Sequence, residues 1–243
     1  MELIIPWKNE YDEYLRDESR RIGSAESISF PRNESDVIEI VKELNRMNIS
    51  VTTQGARTGI VAGAVPNGGH VMNLSRMNSI GDVRYIDSLD EYRITVQPGA
   101  VLSDVNSKAA TSGLFFPPDP TETTASIGGM AACNASGSLS MHYGPTRRWI
   151  ASLRIVLVDG DIISIRRGEV FASGRQFSIA AESGRVISGE LPSHTIPKVK
   201  SAAGYYVKDN MDLIDLFIGS EGTLGIITEI ELRLACKPKA VSG

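Results

Sequence analysis

The amino-acid sequence predicts an α+β fold, in which a small parallel β-α-β unit near the N-terminus is followed by a larger set of hairpin-connected strands. Three observations predict it. Residues 27–53 set a helical period between two short strand patterns, and parallel strands in such a unit are usually joined right-handedly. Beyond residue 70 the apolar positions fall into short runs punctuated by Gly, Pro and Asp, with the hairpin signal Asp159-Gly160-Asp161 between two of them. Three stretches rich in small residues, at 54–66, 115–144 and 219–225, interrupt these elements, and little core can be built from them.

A chain of 243 residues buries roughly 70–75% of its unfolded surface, enough for a core without staples. Its 42% hydrophobic and 22% charged content is that of a soluble globular protein. The net charge of -4 gives no sign of a nucleic-acid partner, and the basic pairs Arg20-Arg21, Arg147-Arg148 and Arg166-Arg167 are scattered. Cys133 and Cys236 form neither a disulfide framework nor a metal motif, so reduced thiols and a cytoplasmic location are the expectation. The opening residues MELIIPWKNEYDEY lack the layout of a signal peptide, and no apolar run approaches the ~20 residues of a membrane span. No integral membrane segment is therefore expected.

In chain order, residues 8–22 carry Tyr11, Tyr14, Leu15 and Ile22 among many charges, the pattern of an N-terminal helix within a segment 1–25. Residues 27–30 read as a strand ended by Pro31. Asn33 or Ser35 caps a helix with Val37, Ile38, Ile40, Val41, Leu44 and Met47 inward, and residues 49–53 form the next strand. In the loop that follows, successive backbone N–H groups would form a concavity for a phosphate, to which Arg57 adds a charge and Thr58 a hydroxyl. A tight turn without a ligand is the alternative. There is no G-x-G-x-x-G and no Gly-Lys pair, which excludes the Rossmann and Walker motifs.

Residues 71–74, 78–85 and 93–96 read as strands, and 101–111 as a helix through Val101, Leu102, Val105 and Ala109 that ends at Gly113. In the stretch 115–144, Pro117, Pro118 and Pro120 fix an irregular backbone, residues 121–126 supply hydroxyls, and Gly128, Gly129 and Gly137 keep bulk away. Such a stretch brings backbone N–H groups close to a large, partly anionic ligand; an ordinary surface loop is the alternative. Residues 127–132 read as a short helix whose N-terminus points Ser126, Gly128 and Gly129 at that ligand. Residues 153–158 and 162–165 form the hairpin, and 166–200 a polar excursion with one short strand near 177–180. A short helix at 212–217 leads to Gly219-Ser220-Glu221-Gly222-Thr223-Leu224-Gly225 and a strand at 226–234. Ser220 leads into a strand, not the strand-to-helix turn that exposes a serine nucleophile. The switch from parallel unit to hairpins divides the chain into subdomain one, about 26–80, and subdomain two, about 81–235.

The runs Gln54-Gly55-Ala56-Arg57-Thr58-Gly59, Asn73-Leu74-Ser75-Arg76-Met77, Val96-Gln97-Pro98-Gly99, Pro117-Pro118-Asp119-Pro120, Ser126-Ile127-Gly128-Gly129, Cys133-Asn134-Ala135-Ser136-Gly137, Tyr143-Gly144 and Gly219 through Ile227 carry a resemblance. In order and spacing the chain resembles the FAD-binding domain of the vanillyl-alcohol oxidase and p-cresol methylhydroxylase type, closest to its glycolate oxidase subunit and D-lactate dehydrogenase branch. The resemblance implies two subdomains with FAD between them. It implies that Gln54, Gly55, Ala56, Arg57, Thr58 and Gly59 wrap the pyrophosphate. Pro118, Asp119, Ala125, Ser126, Gly128, Gly129, Asn134, Ala135, Gly137 and Gly144 would line the ribityl chain and flavin, and Glu221, Gly222, Gly225 and Ile227 the adenosine side. Arg57 departs from the glycine usual in the branch. Thr58-Gly59 stands where some relatives carry a covalent flavin, so non-covalent FAD is implied.

The resemblance also implies a flavin-dependent oxidoreductase acting on a small 2-hydroxy acid by hydride transfer to flavin. The alternatives are another substrate of the superfamily (an alkylglycerone-phosphate, sugar lactone or phenol) or a flavin-carrying subunit without turnover. A C-terminal cap domain, or a partner subunit, is expected to supply the substrate site, which leaves the catalytic residues of this chain unassigned and a homo-oligomer as an option. Of the three histidines, His142 is the one near the implied flavin, His70 reads as a turn residue and His194 as a surface one; no metal site is expected.

Overall fold

In the computed structural model, which describes residues 3–194 and 204–238, a four-stranded sheet is built from β1 (Ile5–Pro6), β2 (Ser27–Ser29), β3 (Val51–Gln54) and β4 (His70–Asn73). The strand order is β1-β2-β4-β3, with β2 and β3 both parallel to β4 and β1 antiparallel at the edge. The two strands of the β-α-β unit are therefore not neighbours, because β4, which returns after the glycine-rich loop, is inserted between them. Helix α1 (Glu34–Arg46) begins where the Asn33 side chain accepts a hydrogen bond from Asp36 N. Its face Val37, Ile40, Val41 and Leu44 packs on Met72, Leu74 and Met77.

The second sheet is antiparallel and takes β5 (Arg84–Ile86), β6 (Glu91–Val96), β7 (Leu114–Phe115), β8 (Ile150–Val156), β9 (Ile162–Arg166) and β12 (Ile226–Cys236). Its order is β5-β6-β12-β8-β9, with β7 pairing the far end of β12. The strand that closes the chain's described part thus lies at the centre of the sheet, Ile230 opposite Val96 on one side and Leu153 on the other. Helices α2 (Leu102–Ala110) and α3 (Ile127–Ala132) supply Leu102, Val105, Ile127 and Met130 to its core, with Phe116 and Leu232.

Four elements depart from the sequence expectations. The N-terminal segment holds a 3-10 helix over Asn9–Leu15 with no buried residue, shorter than expected, and the chain turns after it, with Arg20 at φ 65° and Arg16 bridging back to Ile22. The expected strand at 78–85 shrinks to β5. The short strand expected near 177–180 is β10 (Gln176–Ala180), and it pairs with a second, unexpected strand, β11 (Val186–Glu190), in a separate hairpin that turns Phe177, Ile179 and Ile187 to the core. His70 is fully buried and opens β4, its ring nitrogens 2.8 Å from Ser27 Oγ and 2.7 Å from Ser29 Oγ. It is a strand residue, not a turn residue.

A polar clasp joins the two sheets. Arg154 on β8 forks onto Glu34 at the start of α1 (3.1 and 2.8 Å), Thr228 on β12 donates to the same carboxylate (2.6 Å), and Arg154 also reaches Glu182 (2.6 Å). Burial alone would raise the Glu34 carboxyl, but the hydrogen bonds from Arg154 and Thr228 hold it below the usual carboxylate range. Among the described residues no helix is long and apolar enough to cross a membrane.

Candidate cofactor cleft

Helix α3 is the post on which the loops are hung. Ser126 caps it, its Oγ accepting from Gly129 N (3.3 Å) and, across the cleft floor, from Ala56 N (3.3 Å) in the loop after β3. At the other end Gly219 N donates to Ala131 O (3.0 Å) and Glu221 N to Ala132 O (2.9 Å), so the third glycine cluster docks on the helix C-terminus. The loops after β3 and before β12 are thereby held on one six-residue element. A Cβ on Gly55 would lie 2.0 Å from Ser126 Oγ, which is why the first loop needs glycine where it meets the post.

The proline-rich segment is locked to the chain that follows α3. Ser138 donates through its backbone N to Asp119 O (3.2 Å) and through Oγ to Asp119 Oδ2 (2.7 Å). From behind, Arg147 fastens this segment to the third loop. Its backbone N donates to Asn134 Oδ1 (3.0 Å), and its guanidinium donates to the carbonyls of Asp215 and Ile218 and stacks 4.2 Å from the Tyr206 ring. Burial pulls the Arg147 guanidinium below its ordinary range, partly offset by Asp215. As one half of a scattered basic pair, Arg147 carried no signal in the sequence; its role comes from partners about 70 residues away.

Between the two sheets these pieces enclose a cleft. Gln54 and Gly55 form one wall, Gly128 and Gly129 the second, and Glu221, Gly222, Gly225 and Ile227 the third. Thr53, Leu74, Pro98, Ala132 and Ile226 complete the lining; Leu74, Pro98 and Ile226 stand in the runs that carry the resemblance but were given no role in the sequence. Pro98 had a signal in the Val96-Gln97-Pro98-Gly99 run, since a Cβ on Gly128 would sit 2.6 Å from its ring. Ala56 and Arg57 line a separate hollow on the other side of the loop. Pro118, Asp119, Asn134, Ala135, Gly137 and Gly144 are not among the residues lining this cleft. Ala125 and Ser126 are buried, and the Ser126 hydroxyl is occupied by the cap and by Ala56. Thr58 is half-buried and Gly59 exposed. His142 is exposed on α4 (Ser140–Tyr143) against the Tyr143 ring, and His194 is exposed.

The backbone is strained where the loops meet. Arg57 (φ 61°), Ala62 (φ 64°), Asn134 (φ 46°) and Glu221 (φ 54°) all adopt the left-handed region, at about 1 kcal/mol or more each for a residue with a side chain. Three buried polar atoms at the first loop lack a partner: Gln54 Oε1, Arg57 Nη1 and Asp17 Oδ2. Gln54 spends its Nε2 on Tyr14 O (2.8 Å) and Ala64 O (2.6 Å), and so ties the loop to the N-terminal segment. Left-handed residues and unpaired polar atoms also occur elsewhere in the chain (Asn48, Asp90 and Asn210; Arg233 Nε), but at the first loop the two coincide.

The cleft is thus lined largely by glycines and small residues, and it lies between a mixed and an antiparallel sheet. The chain belongs to the FAD-binding domain family, whose description matches residues 25–166. It is 34% identical over 233 residues to a D-lactate dehydrogenase of Anaerostipes hadrus, covering 95% of this chain and 41% of that protein. It is 33% identical over 218 residues to glycolate oxidase subunit GlcD of Bacillus subtilis, covering 88% of this chain and 38% of that one. Its fold resembles a solved alkyldihydroxyacetonephosphate synthase with a TM-score of 0.68 at 20% identity, over 98% of this chain and 37% of that chain. The chain spans about two-fifths of the length of these relatives. The fold is that of the vanillyl-alcohol oxidase and p-cresol methylhydroxylase type, and FAD is its cofactor. The residues present fit that group: a glycine cradle closed to side chains, with Gln54 Oε1 left without a partner in its wall.

Proposed function

We propose that this chain is the FAD-carrying part of a dehydrogenase for small 2-hydroxy acids of the D-lactate or glycolate kind. The observation that supports it best is the match to a D-lactate dehydrogenase across 95% of the chain. Bound FAD supplies the acceptor for a hydride leaving the substrate's carbinol carbon. The chain's own task is to hold and orient it without a covalent bond. Gln54 through Gly59 take the pyrophosphate on backbone N–H groups, and Gly222, Gly225 and Ile227, with Pro98, enclose the adenosine end. The segment from Pro118 and Asp119 to Asn134, Ala135, Gly137 and Gly144 supports the ribityl chain and flavin. The buried walls Ile226, Ile227 and Leu74 exclude water from the cofactor's inner face. Substrate-binding and proton-accepting groups come from a C-terminal domain or a partner subunit, with self-association as one way to assemble them.

Titration of purified protein with FAD is expected to turn it yellow and raise its melting temperature, with about 2.7 kcal/mol of added stability at 100 times the dissociation constant. Dye-linked assays of the full-length gene product against D- and L-lactate and glycolate then test the substrate. Protein that binds FAD but oxidises none of these acids removes the substrate assignment and leaves the cofactor assignment standing.

A further inference from the structure

The cleft has a charge deficit. Among its described lining residues the one ionisable side chain is Glu221, an anion, yet the pyrophosphate of FAD brings two negative charges. Backbone N–H groups answer part of that charge, and a cation within reach adds a charge-assisted bond. Arg57 lies in the pyrophosphate loop itself, two residues beyond Gly55 and next to Ala56, whose N–H meets Ser126. Its guanidinium is held outside the cleft by weak partners. Nη2 donates to Glu13 Oε2 (3.0 Å), a carboxylate 59% exposed, and the group lies 4.1 Å from the centroid of the Tyr14 ring. Nη1 is buried and has no partner at all. The hollow that Arg57 lines also holds Arg16 and Arg20 with the carboxylates Asp17 and Glu18.

We propose that Arg57 exchanges anions when the cofactor enters, leaving Glu13 for the pyrophosphate of FAD and bringing to the cleft the charge that its lining lacks. The inference rests on the FAD assignment. Glu13 is then a competitor for Arg57, and that pair adds a ligand-dependent link between the loop and the N-terminal 3-10 helix to the fixed one from Gln54 to Tyr14 O. An exposed ion pair contributes little, whereas a bidentate guanidinium on a desolvated phosphate contributes more, so the exchange runs toward the ligand.

The test uses ADP and adenosine, which differ by the pyrophosphate, with the wild-type protein and two variants. Arg57→Asn removes the charge while keeping a residue that tolerates positive φ, and Glu13→Gln frees Arg57 at an exposed position. Arg57→Asn is expected to weaken ADP about tenfold or more and leave adenosine unchanged, and Glu13→Gln to tighten ADP about twofold. Equal loss of ADP and adenosine in Arg57→Asn, unchanged ADP binding, or weaker ADP binding in Glu13→Gln each overturns the exchange. A wild-type protein that binds neither FAD nor ADP fails at the earlier step and takes the cofactor assignment with it.

Discussion

Gly137 has no room for a side chain: a Cβ there would stand 1.4 Å from the carbonyl oxygen of Asp119 and 2.1 Å from its carbon. Since backbone cannot yield like the tip of a flexible side chain, Gly137→Ala must part the backbone at Gly137 from that at Asp119. It is expected to cost about 2 kcal/mol of stability and to weaken FAD about tenfold, read by thermal melting and by quenching of flavin fluorescence. His70 makes the opposite lesson. Burial pushes its imidazole from the ordinary value of 6.5 to about 4, so the folded chain holds it neutral while the unfolded chain protonates it below 6.5. Its contribution is therefore full above pH 6.5 and declines as the pH falls from 6.5 to 4, by about 3 kcal/mol in all. Melting curves over that range should be flatter for His70→Gln than for the wild type. The glycines were legible because the sequence shows small residues directly. His70 was not, since Gly68-Gly69 before it imitates a turn and its partners Ser27 and Ser29 lie over forty residues away.

At the level of elements, α1 was legible from its cap and its apolar face, whereas the order of the strands was not. Nothing local in His70–Asn73 says that β4 inserts between β2 and β3, since pairing is decided across the loop that precedes it. Of the hairpin β10–β11 only the first strand was legible, from the alternation of Phe177 and Ile179; in β11 Ile187 alone reaches the core, which leaves no alternation to read. The clasp of Arg154, Glu34 and Thr228 is likewise invisible in the sequence, because its members are separated by 120 and 194 residues. Replacing Arg154 by Gln strips Glu34 of its forked partner and should cost about 1–3 kcal/mol, seen as a lower urea midpoint. Because both sheets contribute walls to the cleft, FAD affinity should fall with it even though Arg154 is not among the residues lining the cleft.

For the whole molecule, the sequence marked three small-residue stretches, and the fold brings all three to one cleft, the second of them supplying α3 and the wall of Gly128 and Gly129. What could not be read was the charge deficit of the enclosed space, a property of the assembled walls and of no single loop. The central place of β12 carries a consequence for synthesis. Strands β6 and β8 are made well before residue 226, yet each pairs with β12, so the nascent chain must keep two open edges unsatisfied until almost its last described residues appear. Open edges are sites for wrong partners, and pairings so distant in sequence form slowly. A ribosome-bound chain arrested with residue 225 just clear of the exit tunnel should be readily digested and unable to retain FAD, while one extended past residue 236 should resist protease. The cofactor site is thus completed near the end of translation of this region.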